Sequence, residues 1–185
     1  SKWSPDGRWI SYISDATGED EIYIRPQDGS GEPVQLTFKA DTYKYGPLWS
    51  PDSKKLLWSD KLLRLQYVDI AGKNVVPVAQ AKIGEITQFA WSPDSKWVAY
   101  ARPEVETMTK VYLYSLESAK TFEVTDGWYD SYGPAFSADG KYLFLISDRD
   151  FNPVYSRTEW NHAYLTMSKV YLATLAAETP SPFAP

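Results

Sequence analysis

The chain has 185 residues and a net charge of −5; 43% of its residues are hydrophobic, 16% are aromatic and none is cysteine. The charge argues against a general nucleic-acid binder, because phosphate binding needs a basic surface, and the lack of cysteine excludes disulfides, thiolate zinc sites and cysteine nucleophiles. No apolar run approaches the length of a membrane span, so we expect neither nucleic acid nor a membrane as a partner.

One five-residue phrase occurs four times and divides the chain into repeats. The copies are Trp3-Ser4-Pro5-Asp6-Gly7, Trp49-Ser50-Pro51-Asp52-Ser53, Trp91-Ser92-Pro93-Asp94-Ser95 and Phe136-Ser137-Ala138-Asp139-Gly140. Their first residues are 46, 42 and 45 positions apart, and a period in the forties is typical of β-propellers, in which each repeat is one four-stranded blade. We therefore predict an all-β fold, a β-propeller segment of about four four-stranded antiparallel blades that is incomplete at both ends. The predicted repeats are residues 1–44, 45–86, 87–131 and 132–175, followed by an exit linker at 176–185.

Each phrase matches a type I turn followed by a residue in the left-handed conformation. Proline presets φ at the second turn position, and glycine accepts the positive φ. Ser53 and Ser95 stand where the other two copies have glycine. A side chain in this conformation costs on the order of 1 kcal/mol, so we expect these two turns to be strained or differently shaped.

Each repeat is predicted to contribute an inner strand before the phrase and up to three strands after it. The inner strands are predicted at 46–49, 87–91 and 133–136, with only Lys2 and Trp3 in the first repeat. Second strands are predicted at 9–13, 55–58, 97–100 and 142–146, third strands at 21–25, 63–68, 110–114 and 169–175, and fourth strands at 33–37, 75–79 and 121–125. Runs such as Leu56-Leu57-Trp58 lack polar alternation, which predicts strands buried on both faces.

The last repeat is predicted to lack its outer strand, because prolines at 180, 182 and 185 end strand pairing. An incomplete ring exposes sheet faces and edges. We therefore expect the segment to be stable only within a larger ring or paired with another copy.

The long loops are predicted to lie on one face of the blades, and loops on a rigid scaffold carry function. They are residues 38–45, 80–86, 103–109, 126–132 and 147–168. Aromatic and arginine side chains there suit contact with a peptide or protein. The residues predicted to contact a substrate or partner are Tyr43, Lys44, Tyr45, Trp128, Tyr129, Arg149, Tyr155, Arg157 and Trp160. The alternative is that these aromatics only pack the loops against each other and against a neighbouring domain.

Catalytic, metal and cofactor sites are not expected. The single histidine, His162, lies in a long insertion, and no Gly-x-Ser-x-Gly elbow occurs. Asp148, Asp150 and Asn152 alternate as calcium ligands do, but Arg149 interrupts them and the usual glycine and terminal glutamate are missing. We interpret them as turn and loop caps.

The repeats resemble those of TolB-type and tricorn-type propellers, through the Trp-Ser-Pro-Asp-Gly turn and a later Leu36-Thr37. The last repeat resembles the end of the second propeller of tricorn proteases, on the stretches Ser147–Tyr155, Glu159–Asn161, Val170–Leu172 and Thr179–Phe183. That resemblance implies the C-terminal part of a seven-bladed propeller in a large, cytoplasmic, homo-oligomeric serine peptidase that cuts peptides. It also implies that the catalytic residues belong to other domains.

We therefore expect a non-catalytic propeller segment that routes or selects peptide substrates and supports assembly. Its partners would be peptides or other domains of the same polypeptide. Two alternatives stay open: a stand-alone TolB-like protein-interaction propeller, and the propeller domain of a prolyl-oligopeptidase-type peptidase. A periplasmic location also stays open.

Overall fold

The structure is a computed structural model that describes residues 1–150, 152–155, 162–163 and 166–183, with the backbone alone described at 162–163. The regular elements in these ranges are all β-strands. They are β1 (Lys2–Trp3), β2 (Trp9–Ser14), β3 (Glu21–Pro26), β4 (Val34–Gln35), β5 (Leu48–Trp49), β6 (Lys55–Ser59), β7 (Arg64–Asp69), β8 (Val75–Gln80), β9 (Phe89–Trp91), β10 (Trp97–Arg102), β11 (Lys110–Ser115), β12 (Lys120–Glu123), β13 (Ser131–Phe136), β14 (Tyr142–Ser147), β15 (Val154–Tyr155), β16 (His162–Ala163) and β17 (Lys169–Thr174). The described residues contain no helix long and apolar enough to span a membrane.

The strands form antiparallel sheets. Strands β1 to β4, β5 to β8 and β9 to β12 each form a four-stranded sheet in chain order. A further sheet has the order β13-β14-β17, and β15 pairs with β16 in a separate two-stranded sheet. The predicted all-β fold of antiparallel blades is therefore confirmed, and within the described residues the last large sheet has three strands.

The chain divides into two compact units. Unit 1 comprises residues 1–87 and 94–96, and unit 2 comprises residues 88–93 and 97–185. In unit 1 a core forms from side chains of its two sheets: Ile22, Ile24, Leu36, Trp49, Leu56, Trp58 and Val68. Three consecutive residues of β6, Leu56-Leu57-Trp58, are all buried, which confirms that this strand is covered on both faces.

Unit 2 has its own core between its two larger sheets. Ala99 and Val111 of one sheet pack with Leu143 and Leu145 of the other. The first of these sheets also carries a stacked aromatic pair, since the Tyr100 and Tyr112 rings lie opposite each other in the strand register with centroids 5.4 Å apart. Stacked pairs of this kind stabilise a strand pairing beyond the area they bury.

The repeated phrase folds into the same hydrogen-bonded turn at the start of each second strand. In the first copy the Ser4 hydroxyl donates to Asp6 Oδ1 at 2.6 Å and accepts from the Trp9 amide at 3.0 Å, while the Arg8 amide donates to Asp6 Oδ1 at 3.1 Å. The second and fourth copies repeat these contacts. The serine and aspartate of the phrase are therefore fixed by the turn, which explains their recurrence.

The fifth residue of the phrase adopts the predicted left-handed conformation in all four copies. Its φ is +73° at Gly7 and +69° at Gly140, and it is +59° at Ser53 and +60° at Ser95. The two serines have a compensating contact within unit 1. The Asp6 amide donates to Ser53 Oγ, and the Asp52 amide donates to Ser95 Oγ, each at 3.0 Å. Each serine hydroxyl therefore satisfies a backbone donor of the preceding turn.

Two substitutions at the buried Ser95 separate the hydrogen bond from the backbone conformation. Ser95→Ala removes the bond and keeps a Cβ at positive φ, so we expect it to lower the free energy of unfolding by about 1 to 2 kcal/mol. Ser95→Gly loses the same bond but relieves about 1 kcal/mol of conformational cost, and should remain close to wild type. Urea unfolding followed by tryptophan fluorescence measures both. Equal stability of the two variants would contradict this explanation.

Candidate functional site

A cleft of about 570 Å³ in unit 2 is lined by long-loop residues of its two larger sheets. Its lining residues are Met108, Trp128, Tyr129, Asp130, Asp148 and Met167. The strand order explains why they meet. Asp130 directly precedes β13 and Asp148 directly follows β14, and these strands are antiparallel with Ser131 opposite Ser147. Both carboxylates therefore lie at the same end of the sheet.

Hydrogen bonds hold the three loops around the cleft. The Ser131 amide donates to the Thr109 carbonyl at 3.1 Å, and the Thr109 amide donates to Asp130 Oδ1 at 3.1 Å. The Asp148 amide donates to the Asp130 carbonyl at 3.0 Å, and the Ser168 hydroxyl donates to Asp148 Oδ1 at 2.6 Å. The loops at 103–109 and 126–132 and the described ends of the loop at 147–168 thus meet at one place.

A glycine sets the path of the central loop. Gly127 has φ +77°, and a Cβ added there would lie 2.7 Å from both Lys110 Cε and Thr107 Oγ1. The Gly127 carbonyl accepts a hydrogen bond from the Met108 amide at 3.0 Å. A larger residue at this position is therefore disfavoured both by the backbone conformation and by its neighbours, and the next residue, Trp128, is presented from a fixed turn.

Three of the predicted contact residues lie in or beside this cleft. Trp128 is 77% exposed, although it lines a concave site. Arg149 packs over two aromatic rings, with its guanidinium carbon 5.9 Å from the Tyr129 centroid and 4.8 Å from that of Tyr171. Arg149 Nε also donates to Ser147 Oγ at 3.1 Å. Arg149 therefore supports the Tyr129 wall of the cleft.

Of the other predicted residues of the last repeat, the structure describes Tyr155. Tyr155 is exposed in β15 and is not among the cleft residues. Arg157 and Trp160 lie outside the described residues, as does the side chain of His162.

Two of the three predicted residues of unit 1, Tyr43 and Tyr45, form a surface cluster. The Tyr43 and Tyr45 rings meet edge to face with centroids 5.4 Å apart, and Lys61 Nζ lies 5.7 Å from the Tyr43 centroid. The Tyr45 hydroxyl donates to the Glu85 carboxylate. That hydrogen bond to a carboxylate raises the pKa of Tyr45 to about 12, so Tyr45 stays a neutral donor near neutral pH.

Lys44 lies inside unit 1, although the sequence placed it on a contact surface. It is 6% exposed, its Nζ donates to the Asp20 carbonyl at 2.6 Å, and the same nitrogen is 3.6 Å from Glu21 Oε2. Glu21 is 2% exposed and accepts from the Thr37 hydroxyl at 2.5 Å and from the Ala40 amide at 2.7 Å. The ammonium of Lys44 thus partners a buried carboxylate and fixes the loop that carries the two tyrosines.

The acidic cluster considered as a calcium loop has other contacts. Asp148 accepts from Ser168, and Asp150 Oδ2 lies 3.4 Å from Lys169 Nζ. Within the described ranges no three carboxylate, histidine or cysteine side chains are grouped so as to hold a metal ion.

The sequence did not identify Met108, Asp130, Asp148 and Met167 as members of one binding site. Each lies within two positions of the end of a strand. Nearness to a predicted strand end was the sequence feature that could have identified them as site residues. These two thioethers and two carboxylates are spread over 60 positions and form no local sequence motif. Only the pairing of the strands shows that they meet at the cleft.

Comparison with known proteins supports the fold and identifies the family. All 185 residues match the family described as the tricorn protease second beta propeller domain. The chain is 30% identical over 181 residues to tricorn protease homolog 1 of Streptomyces coelicolor, covering 96% of this chain and 17% of that protein.

Two solved structures show the same fold. The crystal structure of the tricorn protease superposes with a TM-score of 0.87 at 21% identity, covering 95% of this chain and 18% of that one. The structure of TolB from Acinetobacter baumannii superposes with a TM-score of 0.56 at 18% identity, covering 84% of this chain and 41% of that one. The chain thus spans less than a fifth of the length of its tricorn relatives, and it belongs to the family of tricorn protease second β-propeller domains.

Proposed function

We propose that this chain is a non-catalytic propeller segment of a tricorn-like serine peptidase, and that its unit 2 cleft binds peptide substrates on their way to a catalytic site elsewhere in a longer polypeptide. The family match supports the first part of the proposal. The relatives are several times longer than this chain, which leaves room for a separate catalytic domain.

The observation that carries the proposal is an exposed tryptophan in a concave site. Trp128 is 77% exposed and lines a cleft of about 570 Å³. Exposed aromatic side chains in clefts are typical anchors for peptide and protein ligands, because they bury a large apolar area at a small cost in conformational entropy. The volume lies within the range of ligand sites, which is about 300 to 1,000 Å³.

The sheet edge at β17 supports the proposed role in assembly. Within the described residues β17 pairs with β14 on one side, and Val170 on this strand is exposed. An exposed edge strand with an apolar residue is suited to pairing with another part of the polypeptide or with another copy. We therefore propose other domains of the same polypeptide, within a homo-oligomer, as further partners.

The proposed role predicts a defect that depends on substrate length. In the full-length polypeptide that contains this chain, Trp128→Ala should lower kcat/KM for peptides of about ten residues by roughly fivefold, since an exposed aromatic anchor contributes about 1 kcal/mol. Hydrolysis of a two- or three-residue fluorogenic substrate should not change, because such a substrate need not contact the cleft.

Phe183→Ala is the matched control, because Phe183 is 81% exposed and is not among the cleft residues. It should leave both rates unchanged. Equal loss on long and short substrates, or no loss on either, would exclude substrate binding at this cleft.

The likeness to TolB gives the second candidate, a stand-alone interaction propeller. The coding sequences of the full-length polypeptide and of any partner subunit distinguish the peptidase segment from the interaction propeller. Only the peptidase would include a serine-peptidase domain. A purified full-length product that hydrolyses no peptide of any length would favour the interaction module.

A further inference from the structure

We propose that the unit 2 cleft selects peptides that carry a lysine or arginine side chain, which it holds between the carboxylates of Asp130 and Asp148 and the ring of Trp128. This inference rests on the proposed function, because it names the kind of peptide that the same cleft would prefer.

The carboxylates of Asp130 and Asp148 bring negative charge to the cleft. Their hydrogen-bond donors are neutral groups, the Thr109 amide for Asp130 and the Ser168 hydroxyl for Asp148. In the part of the chain that the structure describes, neither carboxylate forms an ion pair with a lysine or arginine. The link from the Asp148 amide to the Asp130 carbonyl, at 3.0 Å, keeps the two residues side by side.

Three lysine and arginine side chains of the described residues near the cleft have other partners. Lys169 pairs with Asp150 at 3.4 Å, and Lys110 pairs with Glu123 at 3.3 Å. Arg149 stacks on Tyr129 and Tyr171 and does not line the cleft. A cationic ligand would therefore meet the two carboxylates without displacing an existing ion pair of the described residues.

The remaining walls suit the rest of a basic side chain. The face of Trp128 can accept a cation–π contact, which is worth about 0.5 to 1 kcal/mol at exposed sites. Met108 and Met167 line the cleft with flexible thioether chains, which pack well against the methylene stems of lysine and arginine. A carboxylate ligand would be repelled here, and a purely apolar ligand would desolvate two carboxylates without compensation.

The test is a binding experiment with matched peptides on the full-length polypeptide. Three dye-labelled decapeptides differ at one central position, which is arginine, norleucine or glutamate. Fluorescence anisotropy at low temperature measures their affinity, and mass spectrometry confirms that they stay intact. We expect the arginine peptide to bind roughly tenfold tighter than the norleucine peptide, and the glutamate peptide to bind most weakly.

Asp148→Asn and Asp130→Asn should each reduce the preference for arginine by about threefold or more without weakening the binding of norleucine, because the amide oxygen still accepts the local hydrogen bond and an amide costs less to desolvate than a carboxylate. The control is Asp150→Asn, whose carboxylate pairs with Lys169 and does not line the cleft. It should preserve the preference. Raising the salt concentration should weaken the arginine peptide and not the norleucine peptide, since salt screens exposed charges.

The possible failures differ. If arginine and norleucine peptides bind equally, in a manner sensitive to Trp128→Ala, charge selection is excluded while peptide binding stands. If no peptide binds and Trp128→Ala has no effect on long substrates, the proposed function itself fails.

Discussion

Glu21→Ala is expected to lower the free energy of unfolding by about 3 to 5 kcal/mol, because it leaves the Lys44 ammonium buried without its partner. Glu21 is buried and bonds to the Thr37 hydroxyl, the Ala40 amide and the Lys44 ammonium. Alanine removes all three contacts at once. Urea unfolding of the chain followed by circular dichroism measures the loss.

The double variant Glu21→Ala/Lys44→Met separates two contributions to the loss of stability: the unpaired charge of the Lys44 ammonium and the lost packing of the Glu21 side chain. Removing the ammonium together with the carboxylate should recover at least half of the loss, since whole buried pairs are often replaced by apolar groups at little cost. Glu19→Ala, at an exposed carboxylate two positions away, should change stability by less than about 0.5 kcal/mol. A cost below about 1 kcal/mol for Glu21→Ala would show that the buried pair does not stabilise this loop.

Trp58→Ala is the second large expected effect, with a loss of about 3 to 5 kcal/mol. Trp58 is 1% exposed and packs in the core of unit 1 with residues of both of its sheets. Truncation to alanine would leave a large cavity that the surrounding strands cannot fill. The same urea titration, read by circular dichroism so that the lost fluorophore does not matter, measures the change.

Trp58→Phe provides a sharper form of this test. The Trp58 indole N–H is buried and has no hydrogen-bond partner among the described residues, and such a donor costs about 1 to 3 kcal/mol. Phenylalanine removes that donor together with part of the volume, so the two effects should offset each other and leave stability within about 1.5 kcal/mol of wild type. Trp128→Ala, at an exposed tryptophan, is the control and should be close to neutral. A loss for Trp58→Phe as large as that for Trp58→Ala would contradict the argument.

Most strands could be predicted from the sequence because they depend on local signals. The predicted second strand at 97–100 is observed as Trp97–Arg102, and the predicted third strand at 110–114 is observed as Lys110–Ser115. The predicted bounds of the inner strands were less accurate. The strand predicted at 87–91 is observed as Phe89–Trp91, and the strand predicted at 133–136 begins earlier, at Ser131. Polar residues at strand ends, such as Ser131, pair in the sheet although they carry no apolar signal.

The candidate site was only partly predictable, because its parts come from distant positions. Trp128 and Tyr129 could be placed on the long-loop face from the order of strands alone. The burial of Lys44 could not be foreseen, because it depends on Glu21, which lies 23 positions earlier and reads as part of a solvated charge run. The two methionines carry no motif and become informative only when β11 and β17 place them at one cleft.

Ser53 and Ser95, which end two copies of the phrase, make each contact in one direction along the chain, from a later copy to the turn before it. Each serine hydroxyl accepts a hydrogen bond from an amide in the turn of the preceding repeat. The second and third copies of the phrase therefore stabilise the first and second turns. Repeats of this chain are therefore not interchangeable units. A shuffled or lengthened version made by copying repeats would have to place a serine-ending phrase after each turn whose amide needs an acceptor, since a glycine-ending phrase in that place would leave that amide without this hydrogen bond.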